Sequence, residues 1–372
     1  MLASREITDY SVAGVDTEKE DIALIGLHRW LDKTLHFRDG KIGVPVKGIG
    51  LFANIIDIGI KDAYKGLGLA ISTDGVGTKI LVARMMEKYD TLGIDCIAMN
   101  VNDILCVGAE PLALVDYLAV AEPQPELIDQ ISKGLHDGAK MAEISVPGGE
   151  IAQVPEMLLA DGLPGVAFDL AGTAIGHIQL DRVITGQGIG KHDIIIGLRS
   201  SGIHSNGLTL ARRVLIKKGG PDAHTFLSEL GRTIGEELLE PTTIYVRPVM
   251  EMLNSGAHIK ALIHVTSDGF LNLTRAEAQA GYVIDYLPES QPIFSVIQSY
   301  GNISDAEMFR VYNMGIGFCI IVPEEDVGEI LRIAKNHDIQ SYVIGHTTED
   351  PERTVEIKPK GLIGKGNRFF KV

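Results

Sequence analysis

Ser72-Thr73-Asp74-Gly75-Val76-Gly77-Thr78-Lys79 lies between an apolar run, 67–71, and a helix-forming run, 80–89. It reads as strand, tight turn and helix start. Gly75 and Gly77 allow backbone conformations closed to other residues, and Thr78 stands where a helix cap is expected. Amides of Gly75, Val76, Gly77 and Thr78 then point towards one spot. Asp74, Lys79 and a helix N-terminus at a single turn suit a phosphate whose charge is shared with a divalent cation. An ordinary glycine turn is the alternative. No Gly-Lys-Ser or Gly-Lys-Thr occurs in the chain, so this is not a Walker loop.

Composition limits the classes of function. The 372 residues, 45% of them hydrophobic, suffice for two domains. With 34 basic against 49 acidic residues the net charge is −15, which argues against a general nucleic-acid or membrane-surface binder. Any phosphate must be held locally. Cys96, Cys106 and Cys319 lie in apolar surroundings without metal-ligand spacing, as expected of thiols in a reducing compartment. Residues 1–10 lack the apolar core of a signal peptide, and Asp116 breaks the apolar run 112–120. A soluble, cytoplasmic protein without a membrane span is expected.

Outward from the opening stretch, residues 17–35 place Leu24, Leu27, Leu31 and Leu35 at helical steps. Gly48 and Gly50 fall in 41–54, either a loop that closes over a nucleotide or a hairpin turn. Residues 92–107 repeat the helical spacing through Ile94, Ile97, Val101, Ile104 and Leu105. Asn100 and Asp103 share a face of that helix, with Asn102 on its flank. Asp74 and Asp103 are thus two carboxylates from separate elements able to share a magnesium ion, the alternative being a solvated helix face. Gly148-Gly149-Glu150 ends a short strand with either a close backbone approach or a turn carrying a solvated glutamate. Gly186 to Lys191 precedes the strand 193–198 instead of following one, so it reads as a connector, with the domain boundary near 178.

In the second half, Ser200-Ser201-Gly202-Ile203-His204-Ser205-Asn206-Gly207 sits between the strand 193–198 and a helix, 208–216. Hydroxyls, an imidazole and an amide at a helix start form a second cup for an anion. His204 would donate or accept a proton near neutral pH, unless it and Asn206 only cap the turn. His264-Val265-Thr266-Ser267-Asp268-Gly269 repeats an Asp-Gly turn after a strand and makes Asp268 a third candidate carboxylate. The basic tail from 353 reads as a last strand with a mobile end.

Taken together, these motifs resemble the phosphoribosylformylglycinamidine cyclo-ligase (aminoimidazole ribonucleotide synthetase) family. The resemblance runs from Ala13-Gly14-Val15-Asp16 through the opening stretch, Gly93-Ile94-Asp95, Val101-Asn102-Asp103, Gly108-Ala109-Glu110-Pro111, Gly148-Gly149-Glu150 and the 200–207 stretch to Glu240-Pro241-Thr242 and Glu307-Met308-Phe309-Arg310. It implies a mixed α+β fold of two domains. Residues 1–178 would bind ATP and magnesium and dimerise, 179–350 would form a C-terminal α/β domain, and 351–372 the last strand and tail. The N-terminal sheets of a homodimer would pair into a shared β-barrel. ATP would activate the formyl oxygen of formylglycinamidine ribonucleotide, and the amidine nitrogen would close the ring. Such chemistry needs positioning and charge neutralisation more than a protein nucleophile.

Residue by residue, the resemblance implies Asp74, Asp103 and Glu150 as metal ligands, with Asp268 added by its likeness to thiamine-monophosphate kinase. Gly48, Gly50, Gly75, Val76, Gly77, Thr78 and Asn102 would contact ATP, and Lys79 would face phosphate. His204 and Asn206 would contact substrate or relay a proton, and Ser200, Ser201, Gly202 and Ser205 would hold the phosphoribosyl substrate. Departures from the family pattern stand at Ser11-Val12, Ile151 and Gln153, Thr243 and Ser267-Asp268. They keep two alternatives open: a paralogue that transfers the γ-phosphate of ATP to another small molecule, and a binding protein without turnover.

Overall fold

A computed structural model describes residues 44–46, 52–59, 66–158, 162–163, 165–217 and 219–372. The expected helix at 17–35 and the expected ATP contacts Gly48 and Gly50 lie outside the described residues. β1 (Val44–Pro45), β2 (Asn54–Asp57), β3 (Leu67–Gly75), β4 (Glu110–Val120), β5 (Ser145–Gln153) and β6 (Phe168–Gln179) form a sheet in the order β1-β2-β3-β6-β4-β5. Only β4 and β5 run parallel within it. α1 (Lys79–Met86), α2 (Leu92–Cys106) and α3 (Pro125–Ala142) complete this half.

Side chains alternate along these strands, so one face of the sheet packs on α2 while the other stays open. β6 follows this period, with Phe168, Leu170, Ala174 and Ile178 buried. The open face carries Leu69 and Ile71 of β3, Val115 and Tyr117 of β4 and Ile175 of β6, placed together by the register Ile71↔Ile175 and Val115↔Thr173. α2 is buried almost all round because α3 covers its other side. The two helices touch backbone to backbone: a Cβ on Gly93 would lie 2.1 Å from the Leu135 amide nitrogen, so only glycine fits that crossing.

The second half holds β7 (Ile194–Arg199), a short hairpin of β8 (Phe226–Leu227) and β9 (Arg232–Thr233), then β10 (Ala261–His264), β11 (Ala280–Ile284), β12 (Ile316–Val322), β13 (Ser341–Glu349), β14 (Val355–Ile357), β15 (Leu362–Lys365) and β16 (Arg368–Lys371). Apart from the hairpin they form one sheet, β10-β12-β7-β13-β11-β14-β15-β16. Its helices are α4 (Leu208–Leu215), α5 (Ile234–Leu238), α6 (Val246–Asn254), α7 (Pro292–Gly301), α8 (Asp305–Val311) and α9 (Val327–Asn336). All seven residues of β12 are buried, which is why its sequence reads as a continuous apolar run without alternation. The tail differs from expectation. Instead of one strand and a mobile end, it forms β14, β15 and β16, with Phe369 packed under α8. Among the described residues no helix is long and apolar enough to cross a membrane.

Candidate active site

β3 delivers Asp74 to the end of the N-terminal sheet, and the chain turns through Gly77 (φ 66°) into α1. Asp74 is exposed, and one of its carboxylate oxygens accepts the Gly75 amide at 2.7 Å. The Val76 amide is occupied by Leu170 O at 2.9 Å, so Gly77 and Thr78 are the open part of the corner. Thr78 occupies the N-cap position without a side-chain cap. Its hydroxyl instead meets that of Thr209 in α4 at 2.9 Å, which ties the corner to the C-terminal half.

α2 brings Asp103 to the same corner. One turn earlier, Asn100 donates to Cys96 O at 2.9 Å and to Asp74 O at 3.4 Å, fixing the helix against β3. Protein packed around Asp74 raises its carboxyl pKa above the ordinary value; the Gly75 amide opposes this, and the Asp103 charge adds to it. From the other half, His264 at the end of β10 places Nδ1 2.8 Å from Asp103 Oδ1. The turn that follows joins in through Ser267, whose hydroxyl donates to Asn206 Oδ1 at 3.0 Å. Asp74, Asp103, His264, Asn206 and Thr209 thus line one seam between the halves.

The other expected residues lie in different surroundings. Among the described residues, no three His, Cys, Asp or Glu side chains come together as a metal site. Of the expected carboxylates, Asp103 lies near enough to Asp74 for its charge to raise the Asp74 pKa. Glu150 pairs with Tyr117, Tyr117 with Ala171 and Ala171 with Gly75. Three strand spacings separate it from the corner, roughly 14 Å. It belongs instead to the edge strand β5, where a cleft of about 660 Å³ opens against α3. Asp268 is exposed in the left-handed region (φ 70°).

Lys79 does not face the corner. Its ammonium is fully buried, donating to Asp95 Oδ1 at 2.9 Å and to Glu240 O at 2.6 Å. Asp95 also accepts the Thr242 amide at 2.8 Å and the Thr242 hydroxyl at 2.7 Å. Asn102, expected beside ATP, is likewise buried: it donates to Thr243 O and accepts the Tyr245 amide. These residues clamp the 240–245 segment onto the N-terminal half.

His204 is buried in a left-handed backbone (φ 59°), and its Nε2 accepts the amides of Ser201 at 3.3 Å and Thr243 at 3.5 Å. Burial holds the imidazole well below its ordinary pKa, with His264 and Lys79 contributing. It therefore stays neutral at neutral pH. Ser200 donates to Asn313 Oδ1, Ser201 donates to Pro241 O, Gly202 O accepts from Asn313 and Ser205 meets the Thr242 hydroxyl. Their polar groups hold the 200–207 loop in place; of the loop, Asn206 reaches the seam.

His264 was absent from the expected site. A single histidine ending an apolar strand just before an Asp-Gly turn was the available signal, and its partner lies 161 positions away.

A family model described as AIR synthase related protein, N-terminal domain, matches residues 54–178, and its C-terminal counterpart matches 190–358. A phosphoribosylformylglycinamidine cyclo-ligase of Methanocaldococcus jannaschii is 45% identical over 357 residues, covering 96% of this chain and 95% of the relative. One from Pyrococcus horikoshii is 46% identical over 353 residues, covering 95% and 98%. Among solved structures, thiamine-monophosphate kinase from Stenotrophomonas maltophilia superposes with TM-score 0.59 at 18% identity, over 88% of this chain and 95% of that one. Thermotoga maritima PurL complexed with ATP superposes at 0.52 and 14% identity, over 86% of this chain and 44% of that one. At such identities the superpositions bear on the fold alone.

Proposed function

The chain belongs to the phosphoribosylformylglycinamidine cyclo-ligase family of AIR synthase related proteins, and from that membership we propose that it closes formylglycinamidine ribonucleotide to aminoimidazole ribonucleotide, with ATP yielding ADP and phosphate. Identity of 45% across nearly the whole of both chains carries this reading. The corner supports it chemically, since the reaction asks for a place where phosphoryl charge is neutralised and substrate is held in line.

Magnesium fits the pair Asp74 and Asp103. Both offer hard oxygen donors, and Asp103 already raises the Asp74 pKa, a repulsion that a divalent cation relieves. Two carboxylates suffice, because magnesium completes its coordination with water and substrate phosphates. When bound, the ion supplies charge neutralisation at the transferring phosphoryl group. Asp74 and Asp103 would hold it, the open Gly77 and Thr78 corner would receive phosphate, and Asn206 would contact substrate. Lys79, Asn102 and His204 act at a distance, by fixing the two halves around that corner.

A homodimer is part of the same proposal. Val115 and Tyr117 keep 46% and 48% of their surface exposed on the open sheet face, beside Ile71 and Ile175. Such a contiguous apolar face is what a second copy would cover. A cytoplasmic location accords with Cys96, Cys106 and Cys319, which are free and buried.

The test is purified protein with ATP, magnesium and formylglycinamidine ribonucleotide, followed for both ADP and aminoimidazole ribonucleotide. Equal amounts of the two are expected. ADP formed with a different acceptor, and none with this substrate, would move the assignment to a phosphotransferase of the same fold.

A further inference from the structure

We propose that His264 is a positioning residue that aims the Asp103 carboxylate from across the seam between the two halves. This role rests on the reading of Asp74 and Asp103 as metal carboxylates. His264 ends β10 opposite Phe318 of β12, and its side chain is only 2% exposed. Its ring lies 6.2 Å from the Phe318 ring, and its amide donates to Cys106 Sγ at 3.2 Å. The first contact packs against the imidazole, and the second anchors the backbone that carries it. From there Nδ1 reaches Asp103 Oδ1 at 2.8 Å. A carboxylate only accepts, so the imidazole is the donor and carries its proton on Nδ1.

The last torsion of an aspartate is broad, so a partly exposed carboxylate rotates unless something fixes one oxygen. Asp103 is open on one side, with 18% of its side chain exposed. Holding Oδ1 inward leaves Oδ2 as the oxygen free to turn outward, and the plane of the group is set by a residue of the other half. Partners of ligating carboxylates commonly matter to metal affinity nearly as much as the ligands themselves. His264 therefore does for Asp103 what the Gly75 amide does for Asp74. In each case a donor holds one oxygen.

Two substitutions separate this role from mere packing. His264→Phe keeps the ring against Phe318 and removes the donor, whereas His264→Asn sacrifices ring packing but places an amide N–H close to where Nδ1 stood. Binding is read as Mn2+ titrated into the full-length protein with ADP present, followed by the free-ion paramagnetic signal, with thermal unfolding measured in parallel. His264→Phe is expected to weaken Mn2+ binding about tenfold at a near-unchanged unfolding temperature. His264→Asn is expected to bind Mn2+ within about threefold of the unsubstituted protein although it unfolds at a lower temperature. The reverse order, or unchanged binding in His264→Phe, overturns the positioning role. Asp103→Asn is the reference: if it too binds Mn2+ normally, the metal reading itself fails, and if it alone loses binding, only His264 is misassigned.

Discussion

Lys79 and Asp95 meet at 2.9 Å with neither side chain exposed, and the 240–245 segment of the other half closes over them. Two charges withdrawn from water need partners, and here Glu240 O accepts from the ammonium while both donors of Thr242 reach Asp95 Oδ1. Asp95→Asn would strand a buried ammonium. A loss of about 3–5 kcal/mol is expected in urea unfolding. Thr242→Val removes one donor to a charged acceptor and should cost about 1.5–3 kcal/mol. Values below about 1 kcal/mol for Asp95→Asn would mean that water reaches the pair and the clamp is not closed.

His204 makes the fold sensitive to mild acid. Its imidazole is held well below the ordinary value of 6.5 in the folded chain, chiefly by burial. As pH falls through that value the unfolded chain takes up a proton that the folded chain refuses, so stability is full above it and declines below it. One such group gives a slope of up to about 1.4 kcal/mol per pH unit. His204→Asn, a residue that tolerates the left-handed backbone, should flatten the decline between pH 6.5 and 5, where carboxylates contribute little. Unfolding curves at four pH values would decide it; an unchanged slope in the variant assigns the acid sensitivity elsewhere.

The open sheet face predicts the oligomer. Tyr117→Glu places a charge amid Val115, Ile71 and Ile175 without touching the core side of the sheet. Sedimentation velocity should show a dimer for the unsubstituted protein and a monomer for the variant, because a buried unpaired carboxylate costs several kcal/mol. A variant that remains dimeric would place the interface on another surface.

Asp268 and Asp103 should behave differently. Asp103→Asn is expected to raise the magnesium needed for half-maximal turnover tenfold or more, on the order seen when a ligand set is disturbed. Asp268→Gly should shift it less than about threefold, since the proposed ligands are Asp74 and Asp103. Glycine also suits φ 70°, so the fold should be retained to within about 1 kcal/mol. An equal magnesium shift in both variants would restore Asp268 to the ligand set.

Sequence alone determined the local elements and the family. Residues 92–107 announce α2 by helical spacing, because this period is set by neighbouring side chains on one backbone. The corner at Asp74 and the reach of Asp103 towards it were also legible, as a turn after a strand and a helix face. What tertiary structure alone decided is which polar residues meet water or ligand. Lys79, Asn102 and His204 have the residue types of a phosphate site, yet each is buried by partners more than a hundred positions away or by its own folded loop. His264 meets its partner Asp103 161 positions away in the chain, a contact that local spacing does not encode. A charged or polar side chain has no preference that its neighbours in sequence can express. Whether it binds a ligand or locks two halves together depends on the surface that folds over it.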